Sequence, residues 1–236
     1  MKILFPHKTP LQKFSTKVCK LLVENFFDVY YTGGTVRDLL LHKNFNDIDI
    51  STNAKPEKVA DCLIKNKIQT NLAYKKFGVV IAKQGGLQLE ITTFRQDLPS
   101  KTRYPKILYI NSPKKDSERR DFTANALYLS IKNGKILDFQ QGLKDIAKKQ
   151  LRFIGVPEKR IKEDPLRIIR ALRLALVLNF SIEKKSLTAI KKYFYLIHSL
   201  TVNRTKKEIN KVTDKKNNLL LQKLIKDKNL LDSKFK

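Results

Sequence analysis

The sequence predicts a two-part α+β chain, a mixed sheet with flanking helices followed by helices alone. Three observations carry this. Before about residue 144, β-rich runs alternate with helical patterns and with glycine or proline turns. After it, apolar residues recur at helical spacing only. Between the two clearest β-rich runs lies Lys83-Gln84-Gly85-Gly86, a hairpin signal. The pattern alone also admits α/β. Residues 1–143 are taken as the first part and 144–236 as the second.

A chain of 236 residues with 42% hydrophobic and 30% charged residues is globular rather than disordered. No apolar run is long enough to span a bilayer. Cys19 and Cys62 sit in helical patterns and read as small buried residues. With the scattered His7, His42 and His198 they give no zinc spacing. This cysteine usage fits a reducing, cytoplasmic compartment, with an organellar one left open. The net charge of +27 disfavours neutral partners and points to a polyanion, either nucleic acid or an anionic membrane surface. Residues 1–145 carry +11 and the shorter 146–236 carry +16, so the second part is the expected polyanion platform.

The N-terminus is basic, its first acid being Glu24, which is similar to a transit peptide. Leu11, Phe14, Val18, Leu21 and Leu22 instead predict a packed helix to about Phe27. Asp28–Tyr31 reads as a strand, Thr32–Gly34 as a turn, and Thr35 as the cap of a helix over Val36–Leu41. Its N-terminal amides would favour an anion such as phosphate. Asp47–Ser51 reads as a strand, and Lys55–Lys67 as a helix opened by Pro56. Phe77–Ala82 and Leu87–Phe94 are the hairpin strands; in the second, Gln88, Glu90 and Thr92 share a polar face. Ser100–Pro113 reads as a mobile loop with a short strand at Ile107–Ile110, and Lys135–Phe139 as a strand after Asn133-Gly134. Helices follow at Pro165–Leu178, Lys184–Leu196, Thr205–Val212 and Asn218–Leu231.

On a strand, Asp47 and Asp49 point one way and Ile48 and Ile50 the other. Paired carboxylates repel unless a cation lies between them, and oxygen ligands of this kind suit Mg²⁺ completed by substrate phosphate. The plainer reading makes Asp47 a turn residue after Asn46 and Asp49 a solvated strand residue. The context turns the balance: Gly33 and Gly34 precede the pair, and RRDFTANAL offers Arg120 as a phosphate or ribose contact that Asp121 and Asn125 could orient. Asp164, Arg167, Arg170 and Arg173 follow at three-residue steps. They drift ~60° per step around a helix, so the first three line one groove and Arg173 its edge. Asp164 could be an ordinary cap and the arginines a solvated face. Side by side, however, Asp and Arg present the acceptors and donors that reading a base edge requires.

The segments GGTVRDLLL, DIDI, LEITTFR, RRDFTANAL and GVPEKRIKEDPLRIIRALRLA resemble, in order, the bacterial-type (class II) tRNA nucleotidyltransferases, or CCA-adding enzymes, and the related bacterial poly(A) polymerases. The resemblance covers about residues 28–212. It implies a nucleotidyltransferase-type head followed by a helical neck and body, and addition of CCA to the tRNA 3′ end from CTP and ATP. It implies that Asp47 and Asp49 hold two Mg²⁺ ions with Glu90 as third carboxylate. Gly34, Arg37 and Arg120 would hold triphosphate and ribose, and Asp164 and Arg167 would choose the base with Arg170 and Arg173 in support. No side-chain nucleophile is needed. The implied partners are tRNA and the two nucleotides, with no membrane.

Alternatives are a poly(A) polymerase, a CC- or A-adding enzyme, or a non-catalytic RNA-binding relative. The sequence departs from the family pattern at the loop Lys101-Thr102-Arg103-Tyr104-Pro105, which keeps one arginine, at His42 in place of glycine, and at Asn203 in place of glutamate. Family members continue beyond the position of Lys236 through helices that grip the tRNA elbow. The charge of residues 146–236 is expected to substitute, unless a partner supplies the grip or the sequence is a fragment.

Overall fold

The computed structural model describes residues 3–44, 47–98 and 106–235. The expected loop at 100–105, with Arg103, lies outside them. The chain forms two units. One comprises Met1–Arg120 with Asn125–Gln140, the other Asp121–Ala124 with Gln141–Lys236.

The first unit runs α1 (Pro10–Glu24), β1 (Val29–Thr32), α2 (Gly33–Leu40), β2 (Asp49–Thr52), α3 (Pro56–Lys65), β3 (Gln69–Asn71), β4 (Val79–Gln84), β5 (Leu87–Thr93), β6 (Arg95–Leu98), β7 (Lys106–Tyr109), α4 (Pro113–Glu118), β8 (Leu127–Ser130) and β9 (Ile136–Asp138). Seven strands form one sheet in the order β3-β4-β5-β2-β1-β8-β9. Only β2 and β5 pair in parallel, so the sheet is mixed. Strands β6 and β7 make a separate antiparallel ribbon.

Helix α1 starts with a reciprocal cap: Gln12 N–H donates to the Thr9 hydroxyl, and the Gln12 side chain accepts from Thr9 N–H. Its buried stripe of Phe14, Val18, Cys19 and Leu22 packs with α3 over one sheet face, where Val80, Ala82, Leu89 and Ile91 are also buried. The helix stops at Glu24, short of the expected Phe27, because Phe26 turns left-handed at φ 65°. His42, where the family pattern has glycine, is likewise left-handed at φ 53°. Gly85 and Gly86, at φ 55° and 77°, supply the two positive angles of a type I′ hairpin turn between β4 and β5.

Two expectations around the first glycines are corrected. Helix α2 begins at Gly33, so Gly33 and Gly34 open it rather than forming a separate turn, and Thr35 lies inside its first turn. Strand β2 begins at Asp49, with Asp47 just before it. Strands β3 and β6 and helix α4 were not expected; they are short and polar, with neither clear period.

The second unit runs α5 (Gly142–Ala147), β10 (Gln150–Leu151), α6 (Pro157–Glu163), α7 (Leu166–Leu178), β11 (Ser181–Ile182), α8 (Lys184–Lys192), α9 (Val202–Ile209), α10 (Lys215–Lys226) and α11 (Leu230–Lys234). It is not purely helical, since β10 and β11 pair in parallel. Its core is α7, where Ile168, Ala171 and Leu172 have no exposed surface, and α9 and α10 pack on it. Asn179 closes α7 in the left-handed conformation, φ 54°. The long helix expected at Asn218–Leu231 is split because Asp227 is extended.

Replacing Leu172, which is 0% exposed, by alanine should lower stability by about 2–5 kcal/mol in urea unfolding. Leu219→Ala, at a residue 55% exposed, should stay within about 0.5 kcal/mol. Equal effects would contradict the core assigned to α7.

Candidate active site

In the first unit, the site is built where α2 meets the start of β2. Ile48 and Ile50 are buried at 4% and 1% exposure, which turns Asp47 and Asp49 to the opposite side. The Thr35 hydroxyl accepts from Asp49 N–H at 2.8 Å and donates to the Asp47 carbonyl at 3.3 Å, clamping the backbone at both aspartates. Gly33, at φ 65°, lies directly against Asp49: a Cβ there would sit 2.5 Å from Asp49 Oδ2. Glycine is therefore required twice, for its angle and for the close approach.

Burial pushes the Asp49 carboxyl above its ordinary range. Arg120, the Gly34 N–H and Arg37 pull it down, while Asp47 adds to the rise. The Gly34 amide, expected to face a phosphate, is thus engaged by Asp49. Glu90 stands in register with Asp49 on the adjacent parallel strand, on the same face and exposed. Asp47 is exposed as well. Among the described residues no group of three or more His, Cys, Asp or Glu is gathered closely enough to hold a metal ion. Two hard oxygen donors on one side, mutually repelling, nonetheless suit a divalent cation that takes its remaining ligands from substrate and water.

Arg120 is held on every side. Its Nε donates to Tyr128 Oη at 2.9 Å, Nη1 to the Asn125 carbonyl at 3.3 Å, and Nη2 to Ser51 Oγ at 3.1 Å and Asp116 Oδ2 at 3.2 Å. The guanidinium also lies 4.8 Å from the centre of the Tyr128 ring. Burial opposes its charge, but Tyr128, Asp116 and Asp49 outweigh burial and hold its pKa above the usual arginine value. Asp116 is fully buried and also accepts from Arg119 Nε at 2.8 Å, Tyr128 Oη at 2.7 Å and Arg95 N–H at 3.1 Å. Burial works against its charge too; Arg119, Arg120 and Tyr128 prevail and hold it below the usual carboxylate range. Arg37 forms a two-pronged pair with Asp38, both bonds 2.8 Å, and donates to Asn125 Oδ1. Asn125 is therefore shared by Arg37 and Arg120.

In the second unit, the Asp121 carboxylate receives Arg170 through Nε, at 2.8 Å, and Nη2. Asp121 leads that effect, raising the Arg170 pKa. Asp164 accepts from Leu166 N–H at 3.2 Å and from Arg204 Nη2 at 2.9 and 3.1 Å. Arg167 Nη1 turns to the Arg160 carbonyl at 2.7 Å and Glu163 Oε2 at 2.9 Å. Arg173 Nε lies 2.9 Å from Glu208 Oε2 as an ion pair, and Arg170 Nη1 is 3.7 Å from Glu208 Oε1. Along the row, Asp164 is thus tied to Arg204 and Arg167 to Glu163, while Arg170 and Arg173 share Glu208.

The sequence reading missed Asp116, Tyr128, Ser51, Arg204 and Glu208. Asp116 had a signal, three and four residues before Arg119 and Arg120 in a helical segment. Arg204 and Glu208 share one face of α9 at four-residue spacing. Ser51 and Tyr128 had none.

Residues 29–152 match the family model of the poly A polymerase head domain. The CCA-adding enzyme of Lactobacillus helveticus is 37% identical over 197 residues, 83% of this chain and 48% of that protein. That of Enterococcus faecalis is 37% identical over 180 residues, 75% of this chain and 43% of that protein. Among solved structures, the Bacillus stearothermophilus CCA-adding enzyme in complex with CTP is 31% identical with a TM-score of 0.75, covering 85% of this chain and 48% of that one. A tRNA nucleotidyltransferase complexed with a primer tRNA and an incoming ATP analog is 28% identical with a TM-score of 0.73, over 91% and 61%. The chain spans about half the length of the curated relatives it matches. Sequence match and fold agree, and the chain belongs to the poly(A) polymerase head-domain family, with the CCA-adding enzymes.

Proposed function

We propose that the chain catalyses template-independent nucleotidyl transfer, adding CCA to the 3′ end of tRNA from CTP and ATP. The observation that carries this is the contact of Gly33 with Asp49, with Asp47 exposed beside it, in a chain whose relatives are CCA-adding enzymes. Asp47 and Asp49 would hold Mg²⁺, with Glu90 adjoining. When bound there, the ion supplies charge compensation for the triphosphate and a lowered pKa for the attacking hydroxyl.

The chain's own residues do the rest. The RNA 3′ oxygen attacks the α-phosphorus, the bond to the β-phosphate oxygen breaks, pyrophosphate leaves and the hydroxyl proton passes to solvent. Thr35 and Gly34 fix Asp47 and Asp49 in place. Arg120, already fully engaged by neighbours, acts as a rigid positive support for Asp49 and as one wall for the nucleotide. In the helical unit, Asp164 and Arg167 supply the hydrogen-bonding groups for the base. Arg204 positions Asp164, and Glu163 positions Arg167.

Tail-less tRNA given Mg²⁺ with CTP and ATP should grow by three nucleotides and stop. Long tails from ATP alone would replace this reading with polyadenylation. Asp47→Ala should cut extension by about a thousandfold with tRNA affinity unchanged; normal extension would refute the metal assignment. Asp164→Ala with Arg167→Ala should reduce CTP/ATP discrimination by about tenfold or more, and unchanged discrimination would remove the base-reading role.

Asp116→Asn should destabilise the fold by about 3–5 kcal/mol at neutral pH, because it strips the counter-charge from buried arginines. The native Asp116 pKa lies below its unfolded value, so this stabilisation is present above about pH 4 and is lost as pH falls through the lowered native value. Urea titrations of both proteins should converge in acid. A gap that persists there would point to shape rather than charge.

A further inference from the structure

Among the described residues, α1 and α3 pack on the opposite face of the sheet from Asp49, and on the face of Asp49 the side chains of Gln69, Gln88 and Glu90 are exposed. Strand register sets what lies on it. Asp49 pairs with Glu90, and Gln88 lies two residues before Glu90 on the same face of β5. Gln88 is opposite Lys83, and Lys83 is opposite Gln69. Cross-strand partners share a face, so Gln88, Lys83 and Gln69 form a row beside Glu90 that runs to the β3 edge in steps of about 4.8 Å.

The chemistry of this row suits one kind of ligand. It has a single positive charge between two amides, each both donor and acceptor, and no acid. Glu90 lies one row over, where its charge repels phosphate and confines a polyanion to the lysine row. At the hairpin end a cavity of about 340 Å³ is lined by Lys67, Gln69, Lys83, Gln84 and Gln88. The Gly85–Gly86 turn brings no side chain over it, and a Cβ at either glycine would meet nothing within 4 Å.

We propose that this row is the track for the unpaired nucleotides immediately upstream of the RNA 3′ hydroxyl. Lys83 takes a phosphodiester, and Gln69 and Gln88 take sugar or base edges. The ligand class is single-stranded RNA, bound with little sequence preference. This assignment rests on the nucleotidyl-transfer reading, which places that hydroxyl at Asp47 and Asp49.

The test uses the full chain and fluorescent tRNA lacking its CCA end. Lys83→Ala with Gln88→Ala should weaken RNA affinity about tenfold and reduce the slope of log affinity against log salt by about 0.7, while CTP and ATP affinities stay unchanged. Lys58→Ala removes the same charge from α3, on the covered side, and should leave affinity within about twofold. Thermal melts establish that the variants fold; Lys83→Gln, which keeps the side-chain length, should reproduce the reduced salt slope. Affinity and slope matching Lys58→Ala would overturn the track, as would loss of nucleotide affinity with RNA affinity intact. Extension is scored separately. Wild-type protein that binds RNA but adds no nucleotide overturns the activity reading, while the binding difference alone decides the track.

Discussion

A buried carboxylate is stable only when the groups around it replace the water it lost, and in the head unit that carboxylate is Asp116. It collects the amide of Arg95, the side chains of Arg119 and Arg120, and the hydroxyl of Tyr128. From Arg120 the network passes to Ser51 on β2 and to the carbonyl of Asn125, whose side chain in turn receives Arg37 from α2. Helix α4, strands β2 and β8 and helix α2 are thereby joined by polar bonds around the point where Asp49 enters the sheet. Flexible arginines become fixed parts of the scaffold. Asp49 gains a constant positive neighbour.

The helical unit solves a comparable problem with more charges. Glu208 is buried at 4% exposure, and burial works against its charge; Lys211, Arg173 and Arg170 more than compensate and depress its pKa. Arg170 also engages Asp121, and Arg204 engages Asp164. Asp121 and Glu208 therefore fix the directions of Arg170 and Arg173, which by spacing alone would fan around α7, and Asp164 fixes Arg204 on α9. What a base would meet depends on which of these pairs it must displace.

Strong periodicity made much of this legible. The stripe of α1, the broad apolar face of α7 and the glycine hairpin follow from local physics, and their positions agree with the pattern. Strand β3, Gln69–Asn71, has no apolar alternation, because it is held as a sheet edge by β4 rather than by burial of its own. Helix α4 is polar throughout and buries Asp116 and Ser117, an inversion that no hydrophobic pattern announces. At the site, the shared face of Asp49 and Glu90 followed from alternation once the register was known. The partners of Asp121 and Asp164 did not, since Arg170 and Arg204 lie 49 and 40 residues away in sequence. Such choices are made by tertiary folding.

The short segment Asp121–Ala124 belongs to the helical unit, although the chain returns to the head for Asn125–Gln140. Phe122, 1% exposed, packs against Phe153 with ring centres 4.9 Å apart and forms a backbone bridge with it, and Thr123 donates to the buried Asp145. During vectorial synthesis a nascent chain of 140 residues already holds every strand of the seven-stranded sheet, yet Phe122 still waits for a ring that has not been made. Severing the chain once, at any bond between residues 124 and 153, strands that phenylalanine on one fragment and leaves its partner ring on the other. The two units are consecutive in most of their sequence, but they are interlaced in the order of their assembly.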